Sequence, residues 1–254
     1  MTTLFLAATQ NDEHLIRVFR DWDWQTYPVS LLFTFAYIDK YAALEEAIGL
    51  EPKCVMLDSG AWSAYRIGKV IDIDALLLEE KTGNWDEVVA LDVIGDGDAS
   101  KVNADYMRVQ GSNAFPVFHF GESWELLDYY CEHWLKVGLG CCFVKSVSQS
   151  YWFYDKCFAK QWPHLFHSFG WATPNVLRRY PFASADTSSC LTAAARYGRW
   201  RSFGAMSVRG DALAVGIKAE VLAYLDIERE IQQKWKATLA PLLSQTEGGN
   251  KCIV

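Results

Sequence analysis

Asp58, Asp92, His119 and Asp186 each stand directly after a short apolar run: Cys54–Leu57, Val88–Leu91, Phe115–Phe118 and Phe182–Ala185. Two further runs, Val137–Leu139 and Phe166–Phe169, close on Gly140 and Gly170. A strand that stops at a polar residue and hands over to a helix places that residue at the C-terminal edge of its sheet, where barrels of parallel strands do their chemistry. Carboxylates gathered there can divide the work of nucleophile and proton carrier, and an imidazole can hold a polar substrate edge. Taken singly, each residue has a structural reading. Asp186, in Ala-Asp-Thr-Ser-Ser, could cap a helix through Ala193; Asp58 could cap a turn, and His119 could be a core histidine. Their shared position at strand ends makes them a candidate site.

The elements that must position them follow from hydrophobic periodicity. Leu4–Ala8 and Val29–Ile38 complete a set of eight apolar runs, continuous rather than alternating, as strands covered on both faces require. Helical spacing falls between them at Asp12–Phe19, Lys40–Ile48, Ile71–Glu80, Ser100–Gln110, Ser123–Leu135 and Ser150–Trp162. Eight alternations in 254 residues predict an α/β fold, a (β/α)8 TIM barrel, in one domain. The barrel would span about residues 1–204, with an extra C-terminal helix and tail over about 205–254. That helix reads as Ile217–Leu243 with a break at Pro241, and Gln245–Val254 reads as a loose tail. A doubly wound sheet is the alternative.

Composition narrows the class. Hydrophobic residues make up 51% of the chain, enough for a large core, yet no run is long and pure enough to span a bilayer. The N-terminus, MTTLFLAATQNDEH, has neither the basic start nor the apolar length of a signal peptide. Seven cysteines (54, 131, 141, 142, 157, 190 and 252), an odd number in mostly apolar contexts, read as reduced thiols in a cytoplasmic protein. The net charge of −7 argues against nonspecific coating of nucleic acid. Against it, the window Arg178–Arg209 holds six arginines and one acid, Asp186. Arg178, Arg179, Arg196, Arg199 and Arg201 are therefore candidates for a phosphate-tracking surface, or else for a solvated helix face with arginines lying over tryptophans.

The order of these segments resembles the tRNA-guanine transglycosylase superfamily, closest to its 7-deazaguanine DNA transglycosylase branch, over roughly residues 54–190. Asp58-Ser59-Gly60-Ala61-Trp62 is similar to the family's D-S-G-G-[FY], and Ala90-Leu91-Asp92 to the strand whose Asp reads the base edge. Val117-Phe118-His119-Phe120-Gly121 takes the place of a V-Q-G-G segment, with His for Gln. Val137-Gly138-Leu139-Gly140 resembles the G-G-L-A turn, and Gly170-Trp171-Ala172-Thr173-Pro174 resembles G-V-G-T-P. Twelve residues beyond Pro174, Asp186 falls where the family keeps its nucleophile. The resemblance implies Asp186 as nucleophile at C1′ and Asp58 as acid/base. It implies Asp92 and His119 on the base edge, Trp62 stacked on the base, and Gly138, Leu139, Gly140 and Gly170 lining its pocket. The implied reaction breaks the N-glycosidic bond of a guanine-like or modified base through a covalent Asp intermediate and needs no metal or redox cofactor. A 7-deazaguanine resolving that intermediate would make a transglycosylase. Water would make a DNA glycosylase, suited to defence against phages with modified DNA.

The chain also departs from the family. The tRNA enzymes carry a C-x-C-x-x-C plus His zinc site after the nucleophile. Beyond Asp186 this sequence has only Cys190 and Cys252 and no His, so no structural zinc is expected there, and DNA suits the chain better than tRNA. The expected partners are DNA and, for base exchange, a free nucleobase, with no membrane. Two other classes stand beside this one. Asp58, Asp92, His119, His167 and Asp186 could ligate a divalent metal in a barrel hydrolase, although Thr3-Leu4-Phe5-Leu6-Ala7 supplies no H-x-H. A non-catalytic binding protein on a degenerate barrel is the other.

Overall fold

The computed structural model describes residues 2–7, 18–41, 48–188, 199–200, 204–205 and 211–244. Eight parallel strands form one sheet: β1 (Thr3–Ala7), β2 (Ser30–Thr34), β3 (Cys54–Asp58), β4 (Glu87–Val88), β5 (Val117–His119), β6 (Lys136–Gly140), β7 (Leu165–Phe169) and β8 (Ser184–Thr187). Their order is β4-β3-β2-β1-β8-β7-β6-β5, which leaves β4 and β5 at the two ends. A parallel bridge between Val89 and Phe115 joins those ends, with Ala90 N–H donating to Phe115 O and Phe115 N–H to Val88 O. The sheet thus curls into the expected (β/α)8 barrel.

Continuous apolar strands are sorted by the pleat into two populations. Leu4, Leu6, Leu31, Phe33, Val55, Leu57, Val137 and Leu139 belong to the large core beneath the outer helices. Phe5, Leu32, Met56, Val89, Phe115 and Val117 fill the barrel interior. The interior row of each strand ends toward the C-terminal mouth at Thr34, Asp58, His119, Gly140 and Asp186. The alternation that buries the barrel is what turns the candidate residues inward.

Connecting helices begin where side-chain caps permit. α1 (Ala61–Ile67) follows Gly60; α2 (Ile73–Thr82) is capped by Asp72, α3 (Gly97–Val109) by Asp96 and α5 (Val147–Gln161) by Ser146. α4 (Trp124–His133) and α6 (Pro174–Arg179), the latter capped by Thr173 with Pro at its first turn, complete the described crossovers. A short antiparallel pair, β9 (Arg199–Trp200) and β10 (Gly204–Ala205), stands where a helix face was one expectation for the arginines. The final helix, α7 (Asp211–Leu243), starts before the expected Ile217. It runs over Pro241 rather than breaking there, and only two helical residues follow the proline.

α7 packs against the strand N-termini. Glu228 accepts a hydrogen bond from Leu4 N–H, Gln232 donates to Thr2 O, and Leu239 and Leu243 cluster with Leu165 and Ala183. The helix therefore covers the end of the barrel opposite the mouth. Among the described residues no helix is long and apolar enough to cross a membrane. The expected Asp12–Phe19 helix, most of Lys40–Ile48, the helix after Asp186 and the tail from Gln245 lie wholly or largely outside the described residues.

The cysteines require a correction. Cys131, Cys141, Cys142 and Cys157 are free, but Cys54 is disulfide-bonded. An odd number of cysteines rules out complete pairing, not a single bridge.

Candidate active site

Asp58, Asp92, His119 and Asp186 line one cavity of about 640 Å³ at the C-terminal mouth, together with Trp62 and Gly170. Asp58 ends β3 and pairs in register with Thr34, whose hydroxyl favours the ionised form of its carboxyl. The carboxylate also accepts from Gly60 N–H at 3.1 Å. Gly60 is required twice over. Its φ is +80°, and a Cβ there would lie 2.6 Å from Ala36 N. The next residue but one, Trp62, is thereby thrown onto the first turn of α1 at the cavity wall. Ser59 turns the other way and donates to Asp92 Oδ1 at 3.0 Å.

Asp92 joins two strand ends. Its Oδ2 lies 2.8 Å from His119 Nε2, while Oδ1 takes the Ser59 hydroxyl. Burial alone would discharge His119, but the hydrogen bond and charge of Asp92 lead the contributions that outweigh it and raise its pKa to about 10. His119 is therefore an imidazolium at neutral pH, hydrogen-bonded to Asp92. The His119 backbone N–H donates to Glu122 at 2.7 Å, fixing the strand end.

Asp186 is part of β8 rather than a residue beyond it, and it pairs with Phe5. Its side chain keeps 14% exposure toward the cavity. Burial raises its pKa to about 7, against the stabilising backbone N–H of Gly170 and its own. Asp58 is raised to about 7 as well, by burial first and then by the negative charges of Asp92 and Asp186. Two acids that face one cavity, both raised to about 7, can each carry or release a proton near neutral pH.

Beneath Asp186 stands His167, fully buried on β7. Its Nδ1 lies 2.8 Å from Ser184 Oγ and its Nε2 3.5 Å from Asp186 Oδ1. Burial, reinforced by the positive charge of Lys136, holds its pKa well below the ordinary value, so it is neutral. Lys136 belongs to the barrel floor, where it forms a buried ion pair with Glu87 and lies 4.4 Å from the Phe115 ring centroid.

Other expected site residues are placed differently. Leu139 is fully buried in the outer core and faces away from the cavity. The open sides of Gly138 and Gly140 are filled by the protein itself: a Cβ would meet Phe169 at 2.6 Å and His119 at 2.2 Å. These glycines admit side chains of neighbouring strands rather than a heterocycle. Arg178 is held by Glu230 at 2.7 Å, and Arg179 is held by Asp155 at 2.8 Å and lies over Tyr151. Both end α6, which runs from the mouth toward the strand N-termini, so neither reaches the cavity. Arg196 and Arg201 lie outside the described residues, and of Arg199 only the strand backbone is described.

The sequence pattern passed over Thr34, Tyr37, Lys40, Ser63, Arg66, Cys142 and Trp171, which line the same cavity. Thr34 was legible in principle as a polar residue inside an apolar run; Lys40 and Arg66 carry no such mark. Among the described residues no three His, Cys, Asp or Glu side chains are grouped to hold a metal ion.

No family model matches the chain, and no curated protein matches it. Among solved structures it is similar to a protein from Coccidioides immitis assigned as a fructose-1,6-biphosphate aldolase. The TM-score is 0.51 at 10% identity, covering 92% of this chain and 90% of the other. At that identity the likeness speaks for the fold.

Proposed function

We propose that the protein is an enzyme that breaks the N-glycosidic bond of a guanine-like or modified base in DNA, as its resemblance to the tRNA-guanine transglycosylase superfamily implies. The observation that supports this best is the arrangement of Asp58 and Asp186 on one cavity, with the charge of Asp186 helping Asp58 keep its proton. In the first step the Asp186 carboxylate attacks C1′ as the C1′–N bond breaks, and Asp58 delivers its proton to the departing base. A glycosyl ester on Asp186 results. In the second step water or an incoming base attacks C1′, Asp58 takes up the released proton, and Asp186 leaves as carboxylate.

Asp92 and His119 form the polar edge against which the base is read, and Trp62 gives it an aromatic face. A base reaches this cavity only outside the helical stack, at a cost of a few kcal/mol that is smallest for modified or unpaired bases. Nucleoside mass spectrometry of modified DNA incubated with the protein, with and without free 7-deazaguanine, tests the reading. Incorporated deazaguanine identifies exchange, and free base with abasic DNA identifies excision. No change in any DNA tried, with folded protein, counts against both.

A further inference from the structure

One edge of the mouth carries more exposed aromatic surface than the fold or the proposed chemistry requires. On α1, Trp62 is 40% exposed and Tyr65 57% exposed, and their rings stack with centroids 5.9 Å apart and 20° between planes. Trp62 lines the cavity, whereas Tyr65 is not part of its lining. The helix buries only Ala61 and Ala64, so its packing does not depend on either ring.

Cations alternate with these aromatics. Arg66 follows Tyr65 and lines the rim; Lys40 lines it too, with Nζ 5.2 Å from the Tyr37 ring centroid. Lys69 is exposed just beyond the end of α1. Nearby acids on α2 are occupied: Asp72 caps the helix and Asp74 accepts from Tyr106 Oη. In a chain of net charge −7, this edge joins exposed aromatic faces to positive charge beside the cavity.

We propose that this edge is a platform for single-stranded nucleic acid, with a base stacking on Tyr65 and phosphates held by Arg66, Lys69 and Lys40. Bases within a duplex already stack on one another, so exposed rings reward a strand whose bases are splayed out. The platform rests on the nucleobase reading above for its direction: the target base enters beside Trp62, and its neighbour rests on Tyr65. It replaces Arg178 and Arg179 with a cationic surface at the mouth.

The test is fluorescence anisotropy with a labelled mixed-sequence single-stranded DNA, and the same sequence as duplex, over a salt series. Single-stranded DNA is expected to bind more tightly than duplex. Tyr65→Ala should weaken it roughly tenfold, within the range for removing one base–aromatic stack. Arg66→Gln with Lys69→Gln should flatten the salt slope by about 0.7 for each phosphate left without its cation. All three positions are exposed, and unchanged thermal unfolding verifies the fold. Equal affinity for duplex and single strand overturns the proposal, as does an unchanged affinity in Tyr65→Ala or an unchanged slope in the double variant. Platform binding without base release removes the glycosidic reading and leaves the platform. Base release with Tyr65→Ala binding like the wild type does the reverse.

Discussion

His167 Nε2 stands 3.5 Å from Asp186 Oδ1, and neither atom has a hydrogen-bond partner. The floor of the barrel determines the charge of this pair. Burial and Lys136 keep the imidazole neutral, so it supports Asp186 as a dipole rather than a counter-ion. His167→Leu should therefore push the ionisation of Asp186 above about 7 by removing polar surroundings without removing a charge. The 13C shift of the Asp186 carboxyl, followed against pH, reads this directly, and an unmoved midpoint would show that His167 only fills space.

Asp58 and Asp186 also bear on stability. Their folded values are raised from 3.8 to about 7, so the folded state binds protons that the unfolded chain has released. Their contribution is complete below about pH 4 and is lost as pH rises through about 7. Asp58→Asn should raise stability at pH 8, by on the order of 1–3 kcal/mol after allowing for exposure to cavity water, and change little at pH 4. Thermal unfolding at the two pH values checks this; equal effects at both would place the cost of Asp58 elsewhere.

Gly140 is expected to tolerate no side chain. A Cβ there would lie 2.2 Å from His119 Nδ1, and the imidazole is held from its other side by Asp92. Gly140→Ala should cost about 1–3 kcal/mol of stability and displace the His119 ring, visible in its imidazole NMR signals. A variant as stable as the parent with unmoved signals would mean the strand can shift at no cost.

The barrel and the four polar strand ends were legible because buried parallel strands write continuous apolar runs, and a charged residue ending such a run is conspicuous. Glycine at 138 and 140 was legible as a need for space, but not what fills it, since His119 and Phe169 arrive from neighbouring strands in register. Charge density along a chain does not say which end of a barrel the residues reach. α6 carries Arg178 and Arg179 away from the mouth to Glu230 and Asp155. Arg66 and Lys40 come to the rim from separate loops and helices, without any cluster in sequence.

Those paired arginines yield a contrasting expectation. Arg178→Gln with Arg179→Gln should leave single-stranded DNA affinity and its salt slope as in the wild type, with little change in stability because both pairs are exposed and screened by solvent. A flattened salt slope in this double variant would return these arginines to the nucleic-acid path.

Asp186 as the nucleophile is the centre of the proposed chemistry, and Asp186→Asn tests it most directly. An amide keeps the size of the side chain and can still accept from Gly170 N–H, so fold and DNA binding should persist. It can neither attack C1′ nor stabilise the charge that develops on the sugar. The measurement is release of free base, by mass spectrometry, from a DNA that the wild-type protein demonstrably attacks. Release is expected to fall by a factor of about a thousand or more, with single-stranded DNA affinity unchanged. Base release near the wild-type rate would contradict the assignment and pass the attacking role to Asp58 or to water.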